Sequence, residues 1–411
     1  MHVRRRVKKA LHIDSPSDKR GENRLKKSSI ASAIALMFVM PALMLSATTV
    51  AGDSRAMWTV MVYIDADNNL EPFGISNLQM LESVGSSANV KFVVLMDTYS
   101  GPAYLRLVTK ANQKQIAWGE VDMASPATMA KFIKEAKRIA PAEKYAFVSW
   151  DHGGGWRGLN WDDTTELQTG ASAYMDMKEL KTAIVDGGVV FDVFAFDQCL
   201  MAQPEIAYQL DGWVKYAVFS EETIYGQGFP YDMIASDLVA QPGLDGVGLS
   251  KLIVNDFAHY YNSLTWANDW TISAFDMNYM DDLTSAVKAL ATSSLAVIDT
   301  YRSQFKNDLA GTLNYYYHYY SDLEGYAIHV AEDKAIMDPV VKDAARKVIL
   351  AIDGGIVLTA NSKHNLDSHG ISIYFPSYKS SLYGYKAAYE NVPFAIESGW
   401  LEFLKAFAAS K

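Results

Sequence analysis

The sequence lacks a second cysteine. Cys199 is the only one among 411 residues, so the chain cannot form a disulfide within itself. Stability must come from a packed core instead, and half of the residues are hydrophobic. A lone cysteine is either an inert buried residue or a reactive thiol, and the cysteine by itself leaves both interpretations open.

Beyond residue 51 the sequence also lacks any apolar stretch long enough to span a membrane. The first 27 residues hold ten Lys or Arg against three Asp or Glu, and an apolar segment follows at about 30–45. That segment is short for a spanning helix and typical of a signal peptide, with a cleavage site predicted at 49–51. We predict that 1–51 is a signal peptide and that the protein is secreted, periplasmic or held at the cell surface. An uncleaved membrane anchor is the alternative.

Positive charge is scarce once this leader is set aside. The remaining residues carry 27 Lys or Arg against 44 Asp or Glu, a net charge of −17. This balance argues against nucleic acid or an anionic membrane as a partner, because both attract clustered basic residues. The negative charge is compatible with cationic ligands, and it is equally compatible with an ordinary acidic surface that has no special partner. Export also favours a functional role for Cys199, since an accidental free thiol is open to oxidation outside the cell.

Strand-like and helix-like segments alternate along the chain from residue 57. Repeated strand–helix–strand order is typical of a mainly parallel sheet with helices on both faces, so we predict an α/β protein. We expect a core at 52–235 and a helix-rich portion at 236–411 that completes or extends the same domain. The predicted strands are 57–64, 91–97, 103–109, 144–150, 191–199, 213–220, 271–275, 325–330 and 370–375. The predicted helices include one after the polar cluster 65–69 and those at 126–139, 177–185, 204–210, 249–261 and 283–305, with no regular structure over 157–173.

Two of the apolar runs lead into side chains that can do chemistry. The run that begins at 145 ends in His152, and the run at 191–199 ends in Cys199. Parallel strands place their carboxyl ends at one edge of a sheet, where α/β folds carry their sites. A neighbouring histidine helps a thiolate, the reactive form of cysteine, to form near neutral pH. The pattern predicts a cysteine nucleophile with an imidazole partner, although a lone histidine is more often structural.

Several segments, taken in order, resemble a known family. They are 63–70 (YIDADNNL), 150–156 (WDHGGGW), 161–163 (WDD), 196–201 (FDQCLM) and 220–223 (SEET), with 370–376 (GISIYFP) near the end. Their order and spacing resemble the clostripain family of cysteine peptidases. The resemblance covers about 57–232. It implies a caspase-like three-layer α/β sandwich with its catalytic core at 52–235.

The resemblance implies roles for the residues of the predicted site. Cys199 would attack the scissile carbonyl, His152 would transfer protons, and the amides of Gly153 and Cys199 would stabilise the oxyanion. Glycines at 153–155 suit that role because they let a substrate backbone approach closely. A tight turn alone would also explain them.

The resemblance also implies a substrate pocket. Asp197 matches the aspartate at the base of the S1 pocket that selects Arg or Lys, since a buried carboxylate pairs strongly with a cation. Glu221, Glu222 and Thr223 would line the neighbouring wall. The alternatives are that Asp197 caps the next helix and that the acidic residues form a solvated turn. The predicted partners are peptides or proteins with a basic P1 residue.

No cofactor is required for this chemistry, although oxygen-bearing side chains cluster after the first strand. Asp65, Asp67 and Asn68 could bind calcium, a hard cation that prefers oxygen ligands, and some family members need it. The spacing does not match an EF-hand loop. Hydrogen bonding that shapes the rim of the site is therefore the other interpretation, and Asp162 and Asp163 allow the same two roles.

One departure from the family concerns activation. Members are often activated by self-cleavage at a basic residue between the histidine and cysteine strands, but 158–176 contains no Lys or Arg. Arg157 and Lys178 flank that stretch. The chain therefore acts uncut, is cut at a flank or is processed by another protease.

The sequence predicts an exported cysteine endopeptidase that cleaves after Arg or Lys. Two other functions stay open. One is a caspase-like scaffold that binds cationic peptides without cleaving them, and the other is a cysteine hydrolase or transpeptidase of different P1 specificity. The presence of both His152 and Cys199 argues against the scaffold, which needs neither.

Overall fold

The computed structural model describes residues 55–110, 114–377 and 379–409. These residues belong to one compact unit, 53–411. The predicted signal peptide at 1–51 lies outside the described residues and stays a prediction. Of the helices that the structure describes, none combines the length and apolarity needed to cross a membrane.

The strands alternate with the helices along the chain. The strands are β1 (Ala56–Ala66), β2 (Val90–Thr98), β3 (Gly101–Leu107), β4 (Lys114–Gly119), β5 (Ala142–Trp150), β6 (Leu159–Trp161), β7 (Tyr174–Met175), β8 (Phe191–Asp197), β9 (Val214–Phe219), β10 (Thr271–Asp276), β11 (Tyr320–Asp322), β12 (Ile356–Asn361) and β13 (Ser372–Tyr374). The helices are α1 (Glu71–Val84), α2 (Pro126–Ile139), α3 (Asp163–Thr169), α4 (Met177–Gly187), α5 (Pro204–Leu210), α6 (Tyr231–Ala240), α7 (Gly246–Ser263), α8 (Met280–Ala296), α9 (Ile298–Ala310), α10 (Leu323–Glu332), α11 (Pro339–Gly355), α12 (Lys379–Tyr389), α13 (Pro393–Glu397) and α14 (Trp400–Ala408), with a short 3₁₀ turn at Met277–Tyr279.

Nine of the described strands form one sheet in the order β12-β10-β9-β8-β5-β1-β2-β3-β4. The five strands from β9 to β2 are parallel, and the outer strands on both sides run antiparallel. The predicted α/β architecture with a mainly parallel sheet is confirmed. The pairs β6–β7 and β11–β13 form two small separate sheets.

Helices cover both faces of the sheet because its central strands are apolar on both faces. In β1, Met61 and Tyr63 belong to one buried cluster, while Val62 and Ile64 belong to the other. The first cluster packs the sheet against α2, α4, α5 and the helices near the C-terminus. The second packs it against α1, α6 and α7. The resulting three layers hold the carboxyl ends of the parallel strands at one edge.

The second half of the chain contributes to the same sheet. β10 pairs with β9, and β12 pairs with β10, both antiparallel. The boundary predicted at 235/236 falls within α6. The 370–375 segment, predicted as a strand, does contain β13, but β13 pairs with β11 outside the main sheet.

Two predictions of local structure are wrong. Residues 325–330, predicted as a strand, lie within α10, whose buried residues Leu323, Tyr326 and Val330 recur at helical spacing. The predicted helix at 283–305 is two helices, α8 and α9. They meet at Val297, whose backbone leaves the helical region.

A third prediction, that 157–173 lacks regular structure, is also wrong. The segment contains β6 and α3. Asp162 caps α3 by accepting a hydrogen bond from the Thr165 amide. Because α3 buries none of its residues, it has no apolar repeat from which it could have been predicted.

Candidate active site

The strands that carry His152 and Cys199 are parallel neighbours. In the register of β5 and β8, Trp150 pairs with Asp197, so His152 and Cys199 each follow a paired position by two residues. The fold therefore brings both side chains to the same edge of the sheet. They line one pocket of about 140 Å³. Its lining residues are Leu70, Trp150, Asp151, His152, Asp197, Gln198, Cys199, Ile224, Tyr225, Gly226 and Gly228.

The glycine segment after His152 packs directly on the cysteine turn. A Cβ on Gly153 would collide with the backbone oxygen of Cys199 and would lie 2.9 Å from its nitrogen, so only glycine allows this approach. The buried side chain of Gln198 donates to the His152 carbonyl oxygen at 3.2 Å and links the two strand ends. Leu200 has a φ of 67°, an uncommon conformation for a residue with a side chain, and it turns the chain sharply after Cys199.

Burial decides the resting protonation states of the two reactive side chains. The half-buried Cys199 thiol faces the backbone of Ile224, whose amide lies 3.3 Å and whose oxygen lies 3.6 Å from Sγ. Burial raises the pKa of the Cys199 thiol to about 11, and the nearby Asp197 carboxylate adds to the rise. Burial lowers the pKa of His152, an effect that the Asp163 carboxylate opposes. At neutral pH these shifts favour a neutral thiol and a neutral imidazole in the same pocket.

Asp197 is fully enclosed, and only one of its two oxygens has a partner. Oδ2 accepts hydrogen bonds from the Phe229 amide and the Tyr231 hydroxyl, both at 2.9 Å, whereas no described donor reaches the buried Oδ1. Burial raises the pKa of Asp197 to about 7. Gly228 lies so close that a Cβ there would be 2.6 Å from Oδ2. Asp197 does not cap the next helix, because the residue before α5 is Gln203.

The predicted wall residues flank the pocket without lining it. Glu221 is buried and its Oε2 accepts from the Gly370 amide at 3.0 Å. Glu222 accepts from the Thr223 amide at 2.7 Å. The pocket wall is formed instead by the residues that come directly after them, beginning at Ile224.

The oxygen cluster after β1 divides into two groups. Asn68 donates to Asp151 and so acts at the rim of the site, as one of the two interpretations expected. Asp67, Asp97 and Glu120 each offer a carboxylate oxygen, and these oxygens lie within 4.8 Å of one another. Asp65 is buried outside this trio.

Arg157 is held by tyrosines that sequence reasoning did not connect with it. Its guanidinium donates to the Tyr319 hydroxyl at 2.8 Å. It also lies over the rings of Tyr317 and Tyr385, 5.3 and 4.8 Å from their centroids. Lys178 is exposed in the first turn of α4.

Other residues of the site were missed because their partners lie far away in the sequence. Asn69 contacts His152, and Tyr231 contacts Asp197 over a separation of 34 residues. The segment 226–232, which contains two glycines and a proline after β9, marked a turn there, but nothing in it pointed to Asp197.

Comparison with known proteins identifies the family of this chain. The clostripain family (peptidase C11) matches residues 62–407. Clostripain of Hathewaya histolytica is 28% identical over 225 residues, which are 45% of this chain and 43% of clostripain. The chain thus matches less than half the length of that relative.

Two solved structures show the same fold. An inactive zymogen C11 protease from Parabacteroides distasonis superposes with a TM-score of 0.63 at 21% identity, over 84% of this chain and 98% of the other. A secreted C11 cysteine protease from Bacteroides thetaiotaomicron, solved with an irreversible peptide inhibitor, gives a TM-score of 0.66 at 20% identity, over 84% and 99%. The predicted caspase-like architecture is confirmed by these neighbours. With the family matched over most of the chain, this protein belongs to the clostripain family of cysteine peptidases.

Proposed function

We propose that this protein is an exported cysteine endopeptidase in which Cys199 and His152 form a catalytic dyad and which cleaves after Arg or Lys. One observation carries the proposal. A single pocket is lined by Cys199, His152 and Asp197, and the buried Oδ1 of Asp197 has no partner among the described residues. The first two supply nucleophile and base, and the third is suited to a cation.

The resting dyad is neutral, so the thiol must lose its proton as it attacks. Cys199 Sγ bonds to the scissile carbonyl carbon while its proton passes to His152. His152 then gives that proton to the leaving amine as the carbon–nitrogen bond breaks, which leaves a thioester on Cys199. Water, activated by the same imidazole, hydrolyses the thioester and restores the thiol.

The amides of Gly153 and Cys199 suit an oxyanion hole. Gly153 lies against the Cys199 backbone, and neither amide donates to a backbone acceptor in the part of the chain that the structure describes. Two free donors beside the nucleophile can bind the charge that develops on the carbonyl oxygen.

The pocket favours a cationic P1 side chain. Asp197 lines the same pocket as Cys199, and a guanidinium or ammonium group could satisfy its Oδ1, which has no partner among the described residues. Glu222, which is nearly buried beside this pocket, and the net negative charge would add attraction for basic peptides. For Glu222 and Thr223 we propose contacts with substrate residues outside S1, whereas the buried Glu221 supports this segment from behind through its contact with the Gly370 amide. Export is proposed because the leader resembles a signal peptide and one structural neighbour is described as secreted.

The proposed chemistry requires no metal, but one cluster of carboxylates suits calcium. Asp67 and Asp97 are buried carboxylates, and burial raises their pKa values to about 7 and about 8. No described donor reaches Asp67 Oδ2. Together with Glu120 these groups supply the oxygens that a hard divalent cation prefers. We therefore propose calcium at these three residues, as a stabilising ligand rather than a reactant.

The test uses the mature chain from residue 52 and fluorogenic peptides that end in Arg, Lys, Ala or Asp. We expect cleavage of the Arg and Lys peptides only, and we expect Cys199→Ala to reduce it to background. Asp186→Ala, an exposed change on α4, is the matched control and should cleave normally.

Other outcomes separate the competing functions. Cys199-dependent cleavage confined to Ala or Asp peptides would overturn the S1 assignment and favour a hydrolase of different specificity. If no peptide is cleaved but Arg or Lys peptides still bind, the protein is a scaffold that recognises cationic peptides. Binding is measured by fluorescence anisotropy of the labelled peptide on wild type and on Cys199→Ala.

A further inference from the structure

A turn after β1 brings the polar side chain of Asn69 to the His152 imidazole. Asn69 Oδ1 lies 2.9 Å from Nε2 of His152. An amide oxygen only accepts hydrogen bonds, so Nε2 carries the hydrogen and donates it. Nδ1 is then the unprotonated nitrogen, the one able to take the proton of a thiol.

The backbone of this turn is fixed by neighbours of Asn69. The buried side chain of Asn68 donates to Asp151, the residue directly before His152, at 2.7 Å. Its oxygen accepts from the Leu70 amide at 2.8 Å, at the start of α1. The residues on both sides of Asn69 are therefore anchored without it. Loss of the Asn69 side chain should leave the turn in place and remove only the contact to His152.

Few charged groups influence the pKa of the His152 ring. Asp163, at the start of α3, is the carboxylate that acts on His152, and Asp151 lies beside it in the chain. Cys199 and Asp197 share the pocket but belong to β8 and the turn after it. Among the described residues, Asn69 is the one whose side chain forms a hydrogen bond with the His152 imidazole.

We propose that Asn69 is a positioning residue for His152. Its amide oxygen selects the Nε2–H tautomer and fixes the plane of the ring, so that Nδ1 is available for proton transfer. The inference rests on the proposed Cys199–His152 dyad and extends it to a residue 83 positions earlier in the chain. Asn69 does not touch the reacting atoms. Its effect should therefore appear in kcat and in the titration of His152 rather than in KM.

The kinetic test compares Asn69→Ala with Asn69→Asp on an Arg peptide. Without an acceptor, Asn69→Ala should lose about 10- to 100-fold in kcat, part of what general acid–base catalysis contributes, with KM nearly unchanged. Asn69→Asp keeps an acceptor of similar size and adds a negative charge, which favours the imidazolium. We expect it to retain most of kcat at pH 8 and to move the acidic limb of the kcat profile to higher pH.

The control is Asn278→Ala. Asn278 is exposed, and it lies near residues that precede β8 and β9, at the opposite edge of the sheet from Cys199. This variant should behave like wild type. Suppose that Asn69→Ala loses kcat but the pH profile of Asn69→Asp is not shifted. Asn69 would then have only a structural role, and the proposal would be overturned.

A second measurement does not depend on activity. Nitrogen-15 NMR of the ring should show His152 as the Nε2–H tautomer in Cys199→Ala, and a mixture of tautomers once Asn69→Ala is added. Unchanged tautomers would overturn the inference even if the enzyme is active. If wild type shows no Cys199-dependent cleavage, the proposed function fails, whereas the tautomer result still decides whether Asn69 orients the ring.

Discussion

Asp197 illustrates how one buried carboxyl group could set both specificity and pH dependence. Its pKa is raised to about 7 because burial penalises the charged form, and the two donors on Oδ2 only partly offset this. The group must be ionised to pair with a P1 cation. Binding of basic substrates should therefore strengthen as pH rises through about 7.

We expect KM for an Arg peptide to fall roughly ten-fold between pH 6 and pH 8, because the ionised fraction of a group with a pKa near 7 rises by about that factor. Asp197→Asn should abolish this trend. It should also lower kcat/KM by roughly 10- to 150-fold, which corresponds to the loss of a charge-assisted hydrogen bond. Steady-state kinetics from pH 5.5 to 9 provide the measurement. A KM that is flat with pH in wild type would contradict the S1 assignment.

At the scale of elements, the segment between β5 and β8 bears on activation. Arg157 lies among tyrosine rings, and the sequence contains no Lys or Arg at 158–177. Lys178 lies in the first turn of α4, where Asp176 caps the helix. A peptidase binds its substrate extended, so cleavage at either flank would first require this structure to open.

We expect the mature chain to stay uncut between residues 157 and 178 while it cleaves peptides. Intact mass spectrometry after prolonged incubation at a concentration that gives full activity checks this. Fragments that end at Arg157 or Lys178 in wild type, and not in Cys199→Ala, would contradict the prediction. Tyr319→Phe removes the hydrogen bond to the guanidinium and should make Arg157 the first site to be cut by added trypsin.

The elements also show where sequence patterns succeed. Central strands such as β1 and β8 were predicted because they are buried on both faces and read as continuous apolar runs. The segment 325–330 was misread because its buried residues form one side of a helix that a short window cannot distinguish from a strand. α3 was missed because all of its side chains remain outside the core.

For the whole molecule, buried carboxyl groups make stability depend on pH. Burial raises the pKa values of Asp67, Asp197, Glu205 and Asp308 to about 7 and that of Asp97 to about 8. In the unfolded chain these groups titrate near pH 4. Between about pH 4 and pH 8 the folded state therefore binds more protons than the unfolded state, and stability falls as pH rises. The lowered pKa of His152 has the opposite effect, since it makes stability rise with pH, but it is a single group against these five carboxyl groups.

We expect Tm to decrease from pH 5 to pH 8.5, as measured by differential scanning calorimetry at constant ionic strength. Each such group contributes at most about 1.4 kcal/mol per pH unit in that window. Calcium at pH 8 should reverse part of the decrease, whereas magnesium should have little effect. Glu120→Gln, at an exposed position, should reduce the calcium shift. A Tm that rises toward pH 8.5 without calcium would contradict the predicted pH dependence of stability. A calcium-induced rise in Tm that Glu120→Gln does not reduce would show that calcium binds at a different site.

The sequence by itself determined the alternation of strands and helices and the placement of His152 and Cys199 after two of the strands. Both follow from local patterns, since apolar periodicity sets the elements and each of these residues lies two positions after the end of a strand. Only the tertiary structure decided which groups face them. The free oxygen of Asp197 and the contact between Asn69 and His152 depend on packing between segments that lie more than 30 residues apart. No local pattern encodes such contacts, because they arise only when the sheet and its helices have come together.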